Sequence, residues 1–589
     1  MLPPDDLNAA RDTADTGHAD LTWSEDGAPR SARFGDVYFS QDDGLAESRA
    51  VFLRGCGLPE RWRDRDRFTV AELGFGTGLN IIALLDLWRR EGPTGGRLNI
   101  FSIEAFPLTA EEAARALAAW PEVADISGSL IRAWPSGTQG FHRIDLPEFR
   151  ATLDVAVSDA AWALAEWRGA ADAWFLDGFS PALNPGMWSE AVMDGIAARS
   201  APGAQVATFT VAGAVRRGLS ERGFEVEKRP GHGRKRERLE ARRPDALAPR
   251  PSAPRSVAVV GAGIAGASVV RALTALGVEV TVIEADRPGA GGSGFPAALV
   301  TPRLDAGDPL IAGLHAQALE RARSLYSGTP GSVLARGVLQ LEQTERDRGR
   351  FGKVSAQPWW TTGEMAVSDA GLSMTGALTV QPKAILDAWL KGAVMVNGAV
   401  AAITRGEAGW RLTDANGVVL AEADAVVLTA GWGAAALSPE LGLRPVRGQA
   451  DWVEVEDAPA ATAWGGYVAP TGEGFLFGAT HDRDDVATEV RSADTERNRT
   501  VLASRQPGLA AQIENMPTHA RAAVRATTAD RLPICGELAS GIYVLGGLGS
   551  RGFCVAPLLA EHLAAQIVGA PSPLPGGFAA RLAPARVPI

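Results

Sequence analysis

A chain of 589 residues is too long for one hydrophobic core, and its length predicts about three or four core-sized units. An apolar fraction of 46% with 22% charged residues excludes a disordered or fibrous chain and is ordinary for a folded globular one. The net charge of −11 disfavours a uniformly nucleic-acid-binding surface, although an average hides local fields.

In chain order, the acidic and polar N-terminus has no basic region followed by an apolar core, so no secretory signal is expected. Cys56, Cys535 and Cys554 lie far apart and form no CxxC pair. Neither a disulfide framework nor a metal site is expected, and a reducing, cytoplasmic setting is. The first half alternates apolar strands at Phe68–Leu73, Leu98–Glu104, Leu153–Val157, Ala173–Asp177 and Gln205–Thr210 with helical patterns at Leu79–Arg90, Glu111–Trp120 and Met187–Arg199. That alternation predicts an α/β fold with a doubly wound parallel sheet. Residues 242–255 carry Pro244, Pro249, Pro251 and Pro254 without apolar periodicity and read as a short, stiff linker. The predicted division is therefore 1–241, 242–255 and 256–589, and so short a linker permits the monomer expected here. The second half opens with a βαβ unit, turns to β-rich text, and returns to a strand at Ile542–Leu545 and a helix at Ala556–Val568. The proline-rich end from Pro571 reads as a surface tail. The longest apolar stretches, such as 257–270, are broken by glycine and too short to span a bilayer, so no membrane partner is expected.

Two glycine turns of different kinds carry the chemistry. The first, Glu72-Leu73-Gly74-Phe75-Gly76-Thr77-Gly78, follows a buried strand and opens a helix. Its glycines let a ligand approach the backbone, and no phosphate-gripping lysine is present. Glu104 ends the next strand, where an acid accepts both hydroxyls of a ribose. With Glu72 and Glu104, this turn resembles the S-adenosylmethionine turn of class I methyltransferases. Asp159, after the third strand, suits the adenine side of such a cofactor and suits a helix cap equally well. Asp177 ends the fourth strand in Leu176-Asp177-Gly178-Phe179-Ser180-Pro181. A carboxylate there faces the place where a methyl group arrives. An alkyl amine titrates near 10.4 and must shed a proton before it attacks, so Asp177 is the candidate base.

The second turn is a full GxGxxG at Gly261, Gly263 and Gly266, and its second strand ends in Glu284. The pattern places a pyrophosphate at a helix N-terminus and Glu284 on a ribose hydroxyl. Three later segments point to FAD rather than NAD. These are Gly291-Gly292-Ser293-Gly294 after the first βαβ unit, Ala423–Gly431 as a strand ending in a glycine turn, and Gly546-Gly547-Leu548-Gly549-Ser550-Arg551-Gly552 before a helix. Gly292, Ser293, Gly549 and Ser550 are the expected contacts. This half resembles the glycine oxidase and D-amino-acid oxidase superfamily through Arg444-Pro445-Val446-Arg447-Gly448-Gln449 and Arg525–Gly536. That resemblance makes Arg525 the candidate clamp for a glycine-type carboxylate, with Arg551 the second candidate, on substrate or flavin. His481 reads as packing rather than catalysis.

From Arg216 to Arg243 the chain carries an excess of Lys and Arg, densest at Gly233-Arg234-Lys235-Arg236. Composition alone reads this stretch as a solvated helix-and-hairpin edge. Nearly the whole chain, however, resembles the bifunctional tRNA 5-methylaminomethyl-2-thiouridine biosynthesis family. The resemblance rests on Phe34–Ser40, Gly44–Ser48, Glu72–Asn80, Leu176–Pro181, Gly233–Glu237, Gly294–Ala298 and Gly549–Gly552. His232 departs from it, where an aromatic is expected. The resemblance implies an N-terminal class I (Rossmann-like) methyltransferase domain and a C-terminal FAD-binding Rossmann-type domain with an inserted β-rich substrate subdomain. It implies oxidative removal of the carboxymethyl group from a wobble uridine, then N-methylation of the aminomethyl group left behind, with the basic stretch at 216–243 on the tRNA. The residues alone leave open a small-molecule N-methyltransferase fused to a glycine or sarcosine oxidase, and a non-catalytic RNA-binding module.

Overall fold

The computed structural model describes residues 17–25, 27–39, 43–233, 235–245, 253–407 and 409–586. The middle of the predicted linker, 246–252, lies outside the described residues, as do Ser40 and Arg234. The chain divides into two compact units, Met1–Arg250 and Pro251–Ile589.

Among the described residues the first unit is built on an eight-stranded sheet. Its strands are β1 (Arg67–Leu73), β2 (Arg97–Glu104), β3 (Gly140–Leu146), β4 (Ala151–Val157), β5 (Ala171–Leu176), β6 (Ser200–Thr208), β7 (Glu225–Pro230) and β8 (Glu237–Arg242). The spatial order is β3-β4-β2-β1-β5-β6-β8-β7. The inner run from β4 to β6 is parallel, and β3, β8 and β7 are antiparallel to their neighbours. Every residue of β5, and all of β1 after Arg67, is buried. A parallel sheet covered on both faces requires this, and it makes the strands legible as continuous apolar runs. Helix α1 (Leu79–Glu91) leads from β1 toward β2 and is buried from Leu79 to Trp88, while Arg89 and Arg90 sit at the negative end of its dipole. Further along, α2 (Ala160–Glu166) follows β4 and α3 (Gly213–Glu221) follows β6. The strand order reverses between β1 and β5, so a crevice opens there at the carboxyl ends of the strands.

All five strands predicted in this half lie in that sheet. Of the other three, β7 and β8 form the hairpin read within 216–243, and β3 was missed, where Arg143 interrupts the apolar text. Its Nε and Nη2 donate to the Asp154 carboxylate of β4 at 2.8 and 2.7 Å, so the charge is hidden in a bidentate cross-strand pair.

The second unit opens with β9 (Ser256–Val260), α4 (Ile264–Ala275) and β10 (Glu279–Glu284), followed by the long helix α5 (Pro309–Ser327). Later come β11 (Val394–Asn397), β12 (Ala425–Leu428), β13 (Arg444–Glu454), β14 (His519–Thr527), β15 (Ile534–Ala539) and β16 (Ile542–Gly546). The unit closes on α6 (Gly552–Val568) and α7 (Gly576–Leu582). Among the described residues one sheet has the order β11-β10-β9-β12-β16-β15, parallel except for β15. A second sheet of ten strands is mostly antiparallel and contains β13 paired with β14. It is the expected β-rich insertion. The C-terminal segment corrects an expectation. Leu574, Phe578 and Leu582 are buried in the core of this unit, so the proline-rich end is a packed element and not a surface tail. Phe578 and Leu582 fall one helical turn apart, which gives α7 an apolar face.

Helices α4, α5 and α6 meet around one buried carboxylate. Glu561 of α6 accepts from Arg321 of α5 through Nη2 at 2.6 Å and Nε at 2.9 Å, and also pairs with Arg271 of α4. Arg321 and Glu561 are 5% and 4% exposed, so neither charge is solvated and each depends on the other. Glu561→Ala should therefore strand buried cations and cost roughly 3 kcal/mol. The check is the chemical unfolding midpoint of the second unit; an unchanged midpoint would show that the triad contributes nothing.

Candidate functional site

The first glycine turn sits at the β1 end of the crevice. Gly74, Gly76 and Gly78 have φ of 86°, 51° and 78°, the left-handed region that glycine alone enters without strain. A Cβ on Gly74 would stand 2.0 Å from the backbone oxygen of Asp177, and one on Gly76 would stand 3.2 Å from the Tyr38 ring. The turn is thus pressed against the tip of β5 on one side and an aromatic on the other. Glu104, at the end of β2, accepts from the backbone N–H of Gly76 at 3.0 Å and of Phe106 at 3.0 Å. Burial raises its pKa, opposed by those donors. The carboxylate lies beside the turn, where a ribose would present its hydroxyls. A cradle with no room for side chains, edged by one acid, fits S-adenosylmethionine.

Glu72, expected as a cofactor contact, is fully buried beneath the turn. It accepts from Ser102 Oγ at 2.6 Å and Asn80 Nδ2 at 3.0 Å, and burial holds its pKa well above the ordinary range. Asp159 is exposed and caps α2 by accepting from the Trp162 N–H at 2.9 Å. Asp177 lies at the crevice and accepts from Asn80 Nδ2 at 2.7 Å. Burial pushes its pKa up to about 7, against the lowering pull of Asn80 and Lys235. A carboxyl group poised there exchanges a proton near neutral pH.

Three residues around the turn and the Asp177 segment are given no individual role by the sequence, although the family motifs contain all of them. Asn80 stands on the first turn of α1. Tyr38 meets Phe179 edge to face with centroids 5.2 Å apart. Lys235 lies over the Phe209 ring at 4.0 Å and pairs with Glu47 at 2.7 Å.

The basic stretch is largely neutralised in place. Arg222 pairs with Glu190 and Asp194, Lys228 with Glu237, Arg229 with Glu227, Arg238 with Glu240, Arg242 with Glu225, and Arg243 with Asp245. Arg216, Arg217 and Arg236 are exposed and have no ion-pair partner among the described residues. Leu239 of β8 registers with Thr208 of β6, so the hairpin tip, described at 231–233 and 235–236, reaches beyond the carboxyl edge of the sheet. Arg216 and Arg217 lie in the early part of α3 at that same edge.

In the second unit a cavity of about 1280 Å³ runs along the carboxyl ends of β9, β12 and β16. Gly261, Gly263, Glu284, Gly292, Ser293, Arg525, Gly549, Ser550 and Arg551 all line it. Gly266 does not line it; a Cβ there would stand 1.9 Å from the Gly261 oxygen, so its role is the close packing of α4 under the turn. Gly261 has φ of 101° and would collide with Ala430 if it carried a side chain. Ser293 Oγ accepts from the Ile264 N–H at 3.0 Å, tying the second glycine segment to the start of α4. Glu284 accepts from the Ala262 N–H at 2.7 Å. Cβ positions at Gly291 and Gly292 meet nothing within 4 Å and would project into open space. This cradle fits the pyrophosphate and ribose of FAD.

Two arginines occupy the far part of the cavity. Arg551 directly precedes α6 and donates through Nη1 to Thr301 Oγ1 at 2.6 Å and Thr301 O at 3.0 Å. Arg525, on β14, has no hydrogen bond or ion pair among the described residues, and burial lowers its pKa. Its guanidinium lies over Gly448, where a Cβ would stand 2.4 Å from Nη2. That contact gives the Arg447-Gly448-Gln449 segment a physical reason. Arg447, fully buried, holds Asp494 and donates to Glu489 O at 2.7 Å, while the glycine makes room for Arg525. Tyr467 also lines the cavity beside Arg525, and sequence reasoning did not single it out. His481, read from the sequence as packing, is exposed and lines the cavity.

Among the described residues no helix is long and apolar enough to cross a membrane, and no cluster of His, Cys, Asp or Glu is suited to hold a metal.

Comparison with known proteins matches residues 121–244 to an S-adenosyl-L-methionine-dependent methyltransferase family and residues 256–566 to an FAD dependent oxidoreductase family. The tRNA 5-methylaminomethyl-2-thiouridine biosynthesis bifunctional protein MnmC of Caulobacter sp. (strain K31) is 55% identical, covering 96% of this chain and 97% of its own. The proteins of that name from Caulobacter vibrioides and Maricaulis maris are 56% and 42% identical, covering 95% and 94% of this chain and 96% and 93% of theirs. Each unit carries a cofactor cradle of its own design, residues 121–244 of the first match a methyltransferase and 256–566 of the second a flavin oxidoreductase, and the relatives are this similar from end to end: the chain belongs to the tRNA 5-methylaminomethyl-2-thiouridine biosynthesis bifunctional protein family.

Proposed function

We propose that this chain performs two consecutive reactions on the wobble uridine of tRNA. The first removes the carboxymethyl group from 5-carboxymethylaminomethyl-(2-thio)uridine, and the second N-methylates the aminomethyl group that remains. Residues 256–589 carry out the first step and 1–241 the second, joined by 242–255. FAD supplies a two-electron acceptor for the first step, and S-adenosylmethionine supplies a methyl group for the second.

The observation that carries the reading is Arg525, a half-buried guanidinium with no carboxylate partner among the described residues, in the cavity that the flavin turn also lines. A desolvated cation of this kind recognises an anion, and a planar fork grips a carboxylate through two parallel hydrogen bonds. Held so, the substrate's N–CH2 carbon is fixed relative to the cavity wall. Loss of two electrons and two protons leaves a C=N bond, and water opens it to a primary amine and glyoxylate. Arg551 backs the same cavity from the start of α6. The product amine is the acceptor the first unit needs. Asp177 takes the proton from its ammonium form, which frees the nitrogen lone pair for the methyl group. Glu104 and the Gly74–Gly78 turn hold the methyl donor, and Asp159 borders its adenine side.

RNA contact is best supported at Arg216, Arg217 and Arg236, whose charges no carboxylate among the described residues pairs with. They sit at the same sheet edge as Asp177, so a phosphate backbone held there brings a wobble base toward the crevice. The remaining acidic surface keeps non-specific binding low. In this reading the protein works as a cytoplasmic monomer.

Arg525→Leu should lower kcat/KM for glyoxylate release from carboxymethylaminomethyl-tRNA by about 100-fold. Methylation of tRNA that already bears the aminomethyl group should be untouched, and an unchanged oxidation rate would remove Arg525 from the site. Joint replacement of Arg216, Arg217 and Arg236 by alanine should reduce the slope of log K against log salt for tRNA binding by about 3. Fluorescence anisotropy across a salt series measures it; an unaltered slope would place the RNA elsewhere.

A further inference from the structure

Beneath the first glycine turn four buried side chains form one hydrogen-bonded chain. Asn80 is its centre. Its Nδ2 donates to Asp177 Oδ2 at 2.7 Å and to Glu72 Oε1 at 3.0 Å, and Ser102 Oγ donates to the other Glu72 oxygen at 2.6 Å. On its opposite side Asn80 Oδ1 accepts from Ser48 Oγ at 2.6 Å. Asn80, Ser48, Glu72 and Ser102 are all buried, from 6% exposed down to fully enclosed. A carboxamide has two N–H donors and one carbonyl, and here every one of them is used. Turning the amide over would aim its carbonyl at two carboxylates and its N–H groups away from both. The orientation is therefore fixed by its partners.

This geometry does more than pack α1 against β1. Glu72 and Asp177 are two carboxyl groups brought toward one another at the strand ends, and a single neutral donor bridges them. Among the described residues, the titratable and charged groups facing Asp177 are Lys235 from the hairpin tip, Glu47 from the short helix Gly44–Ser48, Asp36 from the segment before it, and Glu72 from β1. Lys235 already pairs with Glu47. Among the described residues Asn80 is left as the group that donates directly to the Asp177 carboxylate.

We propose that Asn80 is the positioning residue of the methyl-transfer site: one carboxamide, locked between Ser48 and Glu72, aims Asp177 and keeps it in its proton-accepting form. Glu72 then serves the reaction through Asn80 rather than by touching the cofactor. The assignment rests on the reading of Asp177 as the base. A proton leaves the substrate ammonium for the Asp177 carboxylate, and the Asn80 donor favours that carboxylate before the proton arrives. Removing the donor makes the carboxylate bind its proton more tightly, so the active form appears only at higher pH.

The test uses the full-length holoenzyme and tRNA bearing the aminomethyl group, with labelled S-adenosylmethionine, and reads single-turnover methyl transfer against pH. The wild-type rate should rise with pH through a limb near 7. In Asn80→Leu, similar in size but without donors, the limb should move to higher pH by about one unit, a tenfold loss at pH below it. The rate should be largely regained on the alkaline plateau, and binding of S-adenosylmethionine measured by calorimetry should not change. If Asn80→Leu fails to fold, Asn80→Ser, whose hydroxyl is too short to bridge both carboxylates, carries the same expectation. A uniform loss of rate with the limb in place would overturn the proposal and leave Asn80 a packing residue. Asp177→Asn run alongside separates the two claims. If it abolishes the limb while the Asn80 variant leaves the limb unmoved, only the positioning role falls. If it keeps both limb and rate, the base assignment falls and the positioning role with it.

Discussion

Both units depend on a backbone approach closer than any side-chain carbon allows. At Gly74 the neighbour is the Asp177 carbonyl, 2.0 Å from where a Cβ would be, and at Gly266 it is the Gly261 carbonyl at 1.9 Å. Each approach brings the end of a buried parallel strand against the element beside it at a crevice where strands and helices diverge. In the first unit the approach sets the tip of β5 against the turn, which brings Asp177 within reach of Asn80 and the glycine cradle. In the second it seats α4 under its turn, so that backbone N–H groups open toward the cavity. A methyl group at either position would force strand and helix apart and blunt the site before any contact with a ligand was lost.

The two sites then use opposite electrostatics. In the first unit burial raises three carboxyl groups, Glu72, Glu104 and Asp177, so the crevice is a place where protons are held and released. In the second, burial acts on Arg525 and Arg551, and the cavity is a place where negative charge is welcomed. These are complementary demands. A carboxymethylamino group presents an anion to the second site, and the amine left after its removal presents a proton to the first. In the proposed sequence the charge that the substrate loses in one unit is the charge that would have repelled it from the other.

Much of this was legible in the amino-acid order, and the parts that were not share a cause. Strands buried on both faces, such as β1, β5 and β9, announce themselves as apolar runs, and both glycine turns follow them at the expected spacing. Glu104, Glu284 and Asp177 stand at strand ends that topology marks out, whereas Arg525 was reached through the resemblance of its strand to the oxidase superfamily. What the text concealed were residues whose meaning lies in a partner far along the chain. Arg143 disguises β3 until Asp154 is seen across from it. Most of the basic stretch is cancelled by Glu190, Asp194 and cross-strand glutamates, so a net positive count overstated the free charge. Glu72 looked like a ligand to the cofactor because it borders the turn, yet it points beneath it to Ser102 and Asn80. The C-terminal prolines suggested a tail, and the apolar residues between them were outweighed.

The account stands on the claim that one nitrogen is first unmasked and then methylated by the same chain. The most direct measurement is mass spectrometry of nucleosides from carboxymethylaminomethyl-tRNA after incubation with the FAD-loaded protein, with and without S-adenosylmethionine. Without the methyl donor the wobble nucleoside should lose the mass of its carboxymethyl group and stop there; with the donor it should then gain one methyl. A nucleoside that emerges unaltered while free glycine or sarcosine is consumed would contradict the account.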